Sequence, residues 1–316
     1  VGVDLSLFNN RLRMTADYYR KKTTDLLNNV EMPRSSGYTT ALRNIGSIRN
    51  SGFELQLDGR IIDRAVKWDL GVNFSLNRSK VLVLSEDKDI FGGELDNTIL
   101  KDQLNLMRVG EPMYVFYGYV EDGYDENGHI VYKNMDDDPA ITAADKTIIG
   151  DPNPDFLVNL TTAVSYKGFT LSAFFQSSIG NDIYSLSMAA QAYDYGYNGN
   201  TLREVYYNHW TPENPTAKYP NLDQTSYKMS DRFVYDGSFV RLKNLELAYD
   251  VPCARSKFIK RARVYVSAQN LFTITSYPFW DPDINANGGG SSMIQGVDSY
   301  CYPSARTYTI GCRLTF

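Results

Sequence analysis

The run Trp68-Asp-Leu-Gly-Val-Asn-Phe-Ser-Leu-Asn77 alternates without a break. Trp68, Leu70, Val72, Phe74 and Leu76 share one parity, and Asp69, Gly71, Asn73, Ser75 and Asn77 share the other. Side chains of a strand point to opposite faces at successive residues, so this is a strand with one apolar and one polar face. Just upstream, Phe53, Leu55, Leu57 and Ile61 alternate with Glu54, Gln56, Asp58 and Arg60, and the short segment 63–66 joins the two runs as a hairpin. Leu12, Met14, Ala16 and Tyr18 repeat the pattern, after a turn at Asn9-Asn10.

The second half repeats the same grammar. Val158 to Tyr166 and Phe169 to Phe175 alternate on either side of Lys167-Gly168, and Val264, Val266 and Ala268 form another apolar row. Tyr308, Ile310, Cys312, Leu314 and Phe316 close the chain on one parity. The parity changes between Leu242 and Leu245, which predicts a β-bulge there. The polar faces carry many charges, among them Arg13, Asp17, Glu54, Asp58, Arg60, Asp69, Arg263 and Arg313.

Strand length separates a solvated sheet from a membrane barrel. The run 306–316 rises about 36 Å, and a tilt of about 45° leaves about 25 Å along the normal, the height of an outer-membrane apolar band. Strands of soluble proteins usually run about 5–6 residues. The connections alternate as well. Those at 9–10, 63–66 and 167–168 are short and 250–261 is intermediate, whereas 25–46, 81–152, 179–237 and 276–304 are long. Short periplasmic turns and long extracellular loops are the barrel pattern. The fold class is therefore read as all-β, a transmembrane antiparallel β-barrel.

Parity of direction requires that 81–152 make no net crossing, so that the apolar run Met113–Val120 belongs to an extracellular hairpin. Nine spanning strands remain, near 1–9, 11–24, 47–62, 66–80, 155–166, 169–178, 238–249, 262–275 and 306–316. Bacterial barrels close with an even number of strands. Residues 1–316 are thus expected to be the C-terminal part of one larger barrel domain whose first strands lie upstream.

Several function classes fall away. The chain has 316 residues, 32 basic and 37 acidic side chains and a formal charge of −5, which argues against nucleic acid. Mean hydropathy is −0.36, and no apolar run is long enough for a spanning helix. His129 and His209 are the only histidines, and nucleophile-elbow, zinc-helix and phosphate-loop motifs are absent from the sequence, so no enzyme, catalytic residue or cofactor is expected. Cys253, Cys301 and Cys312 have no metal or disulfide spacing. Asp136, Asp137, Asp138 and Asp145 lack the glycine and terminal glutamate of a calcium loop and read as a solvated acidic loop, not a metal site.

Aromatics are the compositional anomaly, with 24 Tyr against 15 Phe. Tyr18, Trp68, Tyr166, Tyr249 and Tyr308 fall at strand ends, where aromatic girdles meet the membrane interfaces. Others crowd the loops. Tyr193, Tyr195, Tyr197, Asn198, Tyr206 and Trp210 lie in one, and Trp280, Asp281 and Asp283 in another. Flat rings can stack on sugars, and Asn or Asp can bond hydroxyls, so these nine are the candidates for substrate or partner contact. Tyr also gives large contact area at low entropic cost. The alternative is that the rings pack the loops against each other.

Five stretches resemble SusC/RagA-family TonB-dependent outer-membrane transporters. They are Asn44-Ile-Gly-Ser-Ile-Arg-Asn-Ser-Gly-Phe-Glu-Leu55, Ile149-Gly-Asp-Pro-Asn-Pro-Asp-Phe156, Asn208-His-Trp-Thr-Pro-Glu-Asn-Pro-Thr-Ala-Lys-Tyr-Pro220, Asp236-Gly-Ser-Phe-Val-Arg-Leu-Lys-Asn-Leu-Glu-Leu-Ala-Tyr-Asp-Val-Pro252 and Val264-Tyr-Val-Ser-Ala-Gln-Asn-Leu-Phe-Thr-Ile-Thr275. They occur in family order, and the terminal Phe316 is similar to the aromatic end of such barrels. The resemblance implies a 22-strand barrel with a plug and import of oligosaccharides or peptides. It also implies energy from TonB through the N-terminal region, and a SusD-like surface lipoprotein over the mouth. Two rivals stand beside it: a surface β-sandwich lectin, whose apolar rows would be a buried core, and a passive porin.

Overall fold

The alternating runs become nine strands of one antiparallel sheet in a computed structural model of the chain. The structure describes residues 1–31, 35, 37, 40–84, 88–96, 100–193, 200–253, 258–284 and 294–316, with the backbone alone at 28–31, 40–43, 45 and 96. The staves are β1 Gly2–Leu7, β2 Leu12–Glu31, β3 Thr40–Asp63, β4 Val66–Leu84 and β5 Phe156–Tyr166. They continue with β6 Phe169–Ile179, β7 Phe239–Val251, β8 Arg261–Thr275 and β9 Thr307–Thr315.

The staves pair in chain order. β4 lies directly against β5, with Val72 opposite Leu160, so the segment between them leaves and rejoins the sheet at the same end. The expected lack of a net crossing is borne out. At the other end the turns are tight. Asn9 and Asn10 have φ of 55° and 64°, and Lys167 and Gly168 have 47° and 86°. Lys167-Gly168 is a two-residue hairpin between the paired Tyr166 and Phe169, where positive φ gives a twist that matches the strands, whereas the first turn has four residues between the paired Leu7 and Leu12.

Register sorts the side chains into rows. Leu5, Met14, Leu57, Val72, Leu160, Phe175, Leu242 and Phe272 stand abreast on β1 to β8. The adjacent row is Asp4, Thr15, Gln56, Asn73, Asn159, Gln176, Arg241 and Thr273. One row is wholly apolar and the next wholly polar. The apolar face is open: Leu171 is 47% exposed, Val266 47% and Ile310 86%. A sandwich would bury these side chains against a second sheet, and that rival is set aside. The bulge read from the parity change falls at Lys243, where the ladders to β6 and β8 both shift register.

Two expectations need correction. The segment 25–46 is not a plain loop. β2 and β3 stay paired out to Glu31 and Thr40, through register shifts between Thr23 and Leu27. Asp25, at φ 59°, and Gly46, at φ 140°, break the alternation there, which hides the continuing ladder from a period-two reading. The other long connections are not structureless either. They fold on a core of their own, which holds most of the buried apolar side chains.

Candidate functional site

Parts of 88–155, 180–238 and 276–306 build one module at the loop end of the staves. The strand Asp182–Ser185 pairs antiparallel with Val234–Asp236 and parallel with Val297–Asp298. Val115–Gly118 lies between Asn105–Met107 and Thr147–Gly150. The run Met113–Val120 thus enters this small sheet, with Val115 and Phe116 buried. Helix α1, Leu186–Tyr193, packs its face into the same core as Phe116, Tyr184, Val205 and Phe233. Polar pins hold the module. The Tyr277 hydroxyl bonds Ser185 Oγ at 2.9 Å and Asp298 Oδ2 at 2.6 Å, and Arg232 ion-pairs Glu121 with both side chains largely buried.

The nine candidate residues separate by place. Tyr193 is buried at the end of α1, stacked on Tyr227 at 3.7 Å with an edge contact to Phe233 at 5.2 Å. Burial pushes its phenol well above the ordinary range. Tyr195, Tyr197 and Asn198 lie outside the described residues. Tyr206 is exposed on helix α2, Arg203–Tyr207, edge-on to Tyr207 at 5.2 Å. Trp210 is half-buried, its indole against Gly128, where a Cβ would come within 2.2 Å of the ring. Trp280 is 56% exposed and stacked on Phe279 at 4.8 Å. Asp281 and Asp283 converge with each other and with a residue that the candidate set omitted.

That residue is Arg241, on the polar row of β7 and almost wholly buried. Its guanidinium ion-pairs Asp281, reaches Asp283 Oδ2 at 3.3 Å, and bonds Thr273 Oγ1 at 2.9 Å and Ser304 Oγ at 3.2 Å. Burial acts to raise the Asp281 carboxyl, but the amides of Ser304 and Asp283 together with Arg241 outweigh it and hold it below the ordinary value. The cluster ties the loop after β8 to the inner wall. A cavity of about 320 Å³ opens beside it, lined by Arg241, Asn270, Thr273, Trp280 and Arg306 among others. A second, of about 240 Å³, is lined by Asn159, Gln176, Ser178, Asn181 and Asp283 among others. Amides, hydroxyls and a ring face suit a polar, hydrogen-bonding ligand. The signal for Arg241 was in the sequence: a charge between Val240 and Leu242 on the inner parity.

The acidic loop needs a correction. Asp145 is fully buried, not solvated. Its carboxylate accepts from the amides of Met135 and Thr142, both at 2.7 Å, which hold it below the ordinary carboxylate value. With Thr142 it forms a capping box on the short 3₁₀ turn Ala143–Asp145. Asp136 and Asp138 accept from the amides of Asp138 and Ala140, two residues on, and so shape turns.

Comparison with known proteins fits this architecture. The family described as TonB dependent receptor-like, beta-barrel matches residues 1–271, and the chain belongs to it. The chain is 33% identical to TonB-dependent receptor P3 of Formosa agariphila over all of its own length and 33% of that protein's. It is 29% identical to TonB-dependent receptor SusC of Bacteroides thetaiotaomicron, over 100% and 31% of the two chains. Among solved structures, the RagAB peptide importer in its closed-closed state superposes with a TM-score of 0.83 at 28% identity, over 100% of this chain and 35% of the other. The resemblance to the SusC/RagA type is borne out. The chain spans about a third of the length of the curated relatives it matches.

Proposed function

We propose that these 316 residues form a sector of the wall and the outward mouth of an outer-membrane barrel that imports oligosaccharides or peptides. The reading rests above all on the pair of adjacent rows, one apolar and exposed, one polar, carried across eight strands. Such rows fit lipid on one side and an aqueous lumen on the other. The tight turns then face the periplasm and the loop module faces outward. β1 and β9 each pair on one side only among the described residues, which supports reading the sheet as an open sector of one larger barrel domain, with 22 strands and a plug as the proposed whole. TonB would drive import through that plug region, and a SusD-like lipoprotein would cover the loop module. A family name of TonB-dependent receptor supports the first, and likeness to SusC and RagAB supports the second. The nine loop candidates are proposed as cargo or lid contacts, with the exposed rings of Tyr206 and Trp280 foremost.

The test uses the intact transporter in its host. Deleting its gene, or the TonB gene, should abolish uptake of labelled oligopeptides or labelled oligosaccharides, assayed in separate arms. Unchanged uptake of both classes sinks the import reading. Uptake that survives loss of TonB makes the barrel a passive pore. Tyr206→Ala with Trp280→Ala should then weaken cargo binding or recovery of the lid complex.

A further inference from the structure

At the loop end of β2, β3 and β4 the outward face changes character. Tyr18, Phe53 and Leu76 stand abreast as its last apolar row. The next row on that parity is Arg20, Ser51 and Arg78, and the one after it is Lys22, Arg49 and Lys80. The intervening residues fix the sidedness. Tyr19 crosses the inner face over Gly52 to bond Asn77 Oδ1 at 2.9 Å, and Val81, fully buried, packs inward against Met107 of the loop module. The even residues of β2 and β4 therefore point away from the lumen, and Arg20, Lys22, Arg78 and Lys80 are exposed there.

This arrangement is costly in isolation. Cations directly opposite one another on adjacent strands destabilise a sheet, and Lys22, Arg49 and Lys80 form an unbroken row of three. Arg78 has a carboxylate partner, Asp155 at 2.6 Å. Arg20, Lys22, Arg49 and Lys80 form no ion pair among the described residues. The cluster is also local. On β7 and β8 the outward face stays apolar to the loop end, where Val240 lies opposite Ile274. It is a patch on one sector and not a belt around the sheet.

We propose that this five-cation patch binds the phosphate groups of an anionic lipid headgroup in the outward leaflet. The inference rests on the membrane orientation given above. The patch is continuous with the lipid-facing row of Tyr18, Phe53 and Leu76, at the height where an apolar band gives way to headgroups, and it lies on the outer wall and not over the mouth that a lid would cover. Arginine forks match phosphate oxygens in pairs, while flexible lysines follow them as point charges. Basic clusters beside a membrane surface attract anionic lipid additively.

The test is native mass spectrometry of the intact transporter in detergent, with bis-phosphorylated lipid A as probe and its dephosphorylated form as control. The wild-type protein should retain the phosphorylated probe and not the control. Lys22→Gln with Arg49→Gln and Lys80→Gln should lower retention about tenfold or more, while the barrel keeps its heat-modifiable migration on gels. Equal retention by wild type and variant with that migration intact overturns the patch alone, and so does equal retention of the two lipids by wild type, a comparison that needs no variant. Displacement of the probe by an equal concentration of inorganic phosphate marks a free-anion site and overturns the lipid assignment. A wild-type protein that leaves the membrane fraction without detergent overturns the orientation, and the patch with it.

Discussion

The buried guanidinium of Arg241, on the inner wall of β7, is closed off by the carboxylate of Asp281 from the loop that follows β8. The pair joins the two structural systems of the chain, the staves and the loop module. Taking one partner from a buried ion pair costs about 3–5 kcal/mol where a charge is left uncompensated, and Asp283, 3.3 Å from Arg241, offsets part of that cost here. Asp281→Ala should therefore lower the melting temperature of the detergent-solubilised transporter and open the loop around 276–284 to protease. Arg241→Met with Asp281→Leu should recover part of the loss, since both charges leave together. Strict additivity of the single changes would show that the two side chains do not act as a pair.

Acid should release the same anchor. The folded Asp281 carboxyl titrates below its ordinary value of 3.8. A carboxyl with a depressed folded pKa contributes stability that is fully present above the unfolded value and is lost as pH falls through the folded one. Asp182 has the opposite sign. Burial, and the neighbouring Asp151, Asp236 and Asp155, raise its pKa, so its ionisation opposes folding at neutral pH and that opposition fades on mild acidification. Protease resistance of the loop module should hold or rise slightly as pH falls from neutral towards the ordinary carboxylate value of 3.8 and collapse below it. Asp182→Asn should flatten the rise and leave the collapse. A monotonic decline beginning near neutrality contradicts the assignment.

The staves were legible because their information is local. Alternation within Trp68–Asn77 specifies a strand and its two faces with no knowledge of neighbours. The loop module was not, because its contacts join distant residues. Tyr193 meets Tyr227, and Arg241 meets Asp281 forty positions on. Asp145 could have been read: Thr142-Ala-Ala-Asp145 has the spacing of a capping box, yet the acidic run around it drew attention to charge.

Two tyrosines of the module should respond oppositely to loss of a hydroxyl. The Tyr193 hydroxyl is buried with no hydrogen-bond partner among the described residues. Tyr193→Phe removes an unsatisfied polar group and should be neutral or stabilising by up to about 1 kcal/mol. Tyr277→Phe takes the bonded partner from Ser185 and Asp298, both buried, and should cost about 1–3 kcal/mol. Chemical denaturation of the two variants decides the matter. Equal destabilisation would place an unseen partner on the Tyr193 hydroxyl.

The sharpest test of the two faces uses neighbouring residues near the middle of β4. Val72 stands outward between Leu57 and Leu160, and Asn73 stands inward between Gln56 and Asn159. Arginine on the lipid face at the bilayer midplane costs about 2–4 kcal/mol, whereas the lumen hydrates it. Val72→Arg should sharply lower the amount of heat-modifiable barrel recovered from the outer membrane, and Asn73→Arg should leave that amount near wild type. The two substitutions differ by one residue and share strand, depth and side chain, so propensity and expression effects largely cancel. Equal tolerance at both positions would mean that the apolar row does not face lipid, and the barrel orientation built on it would have to be abandoned.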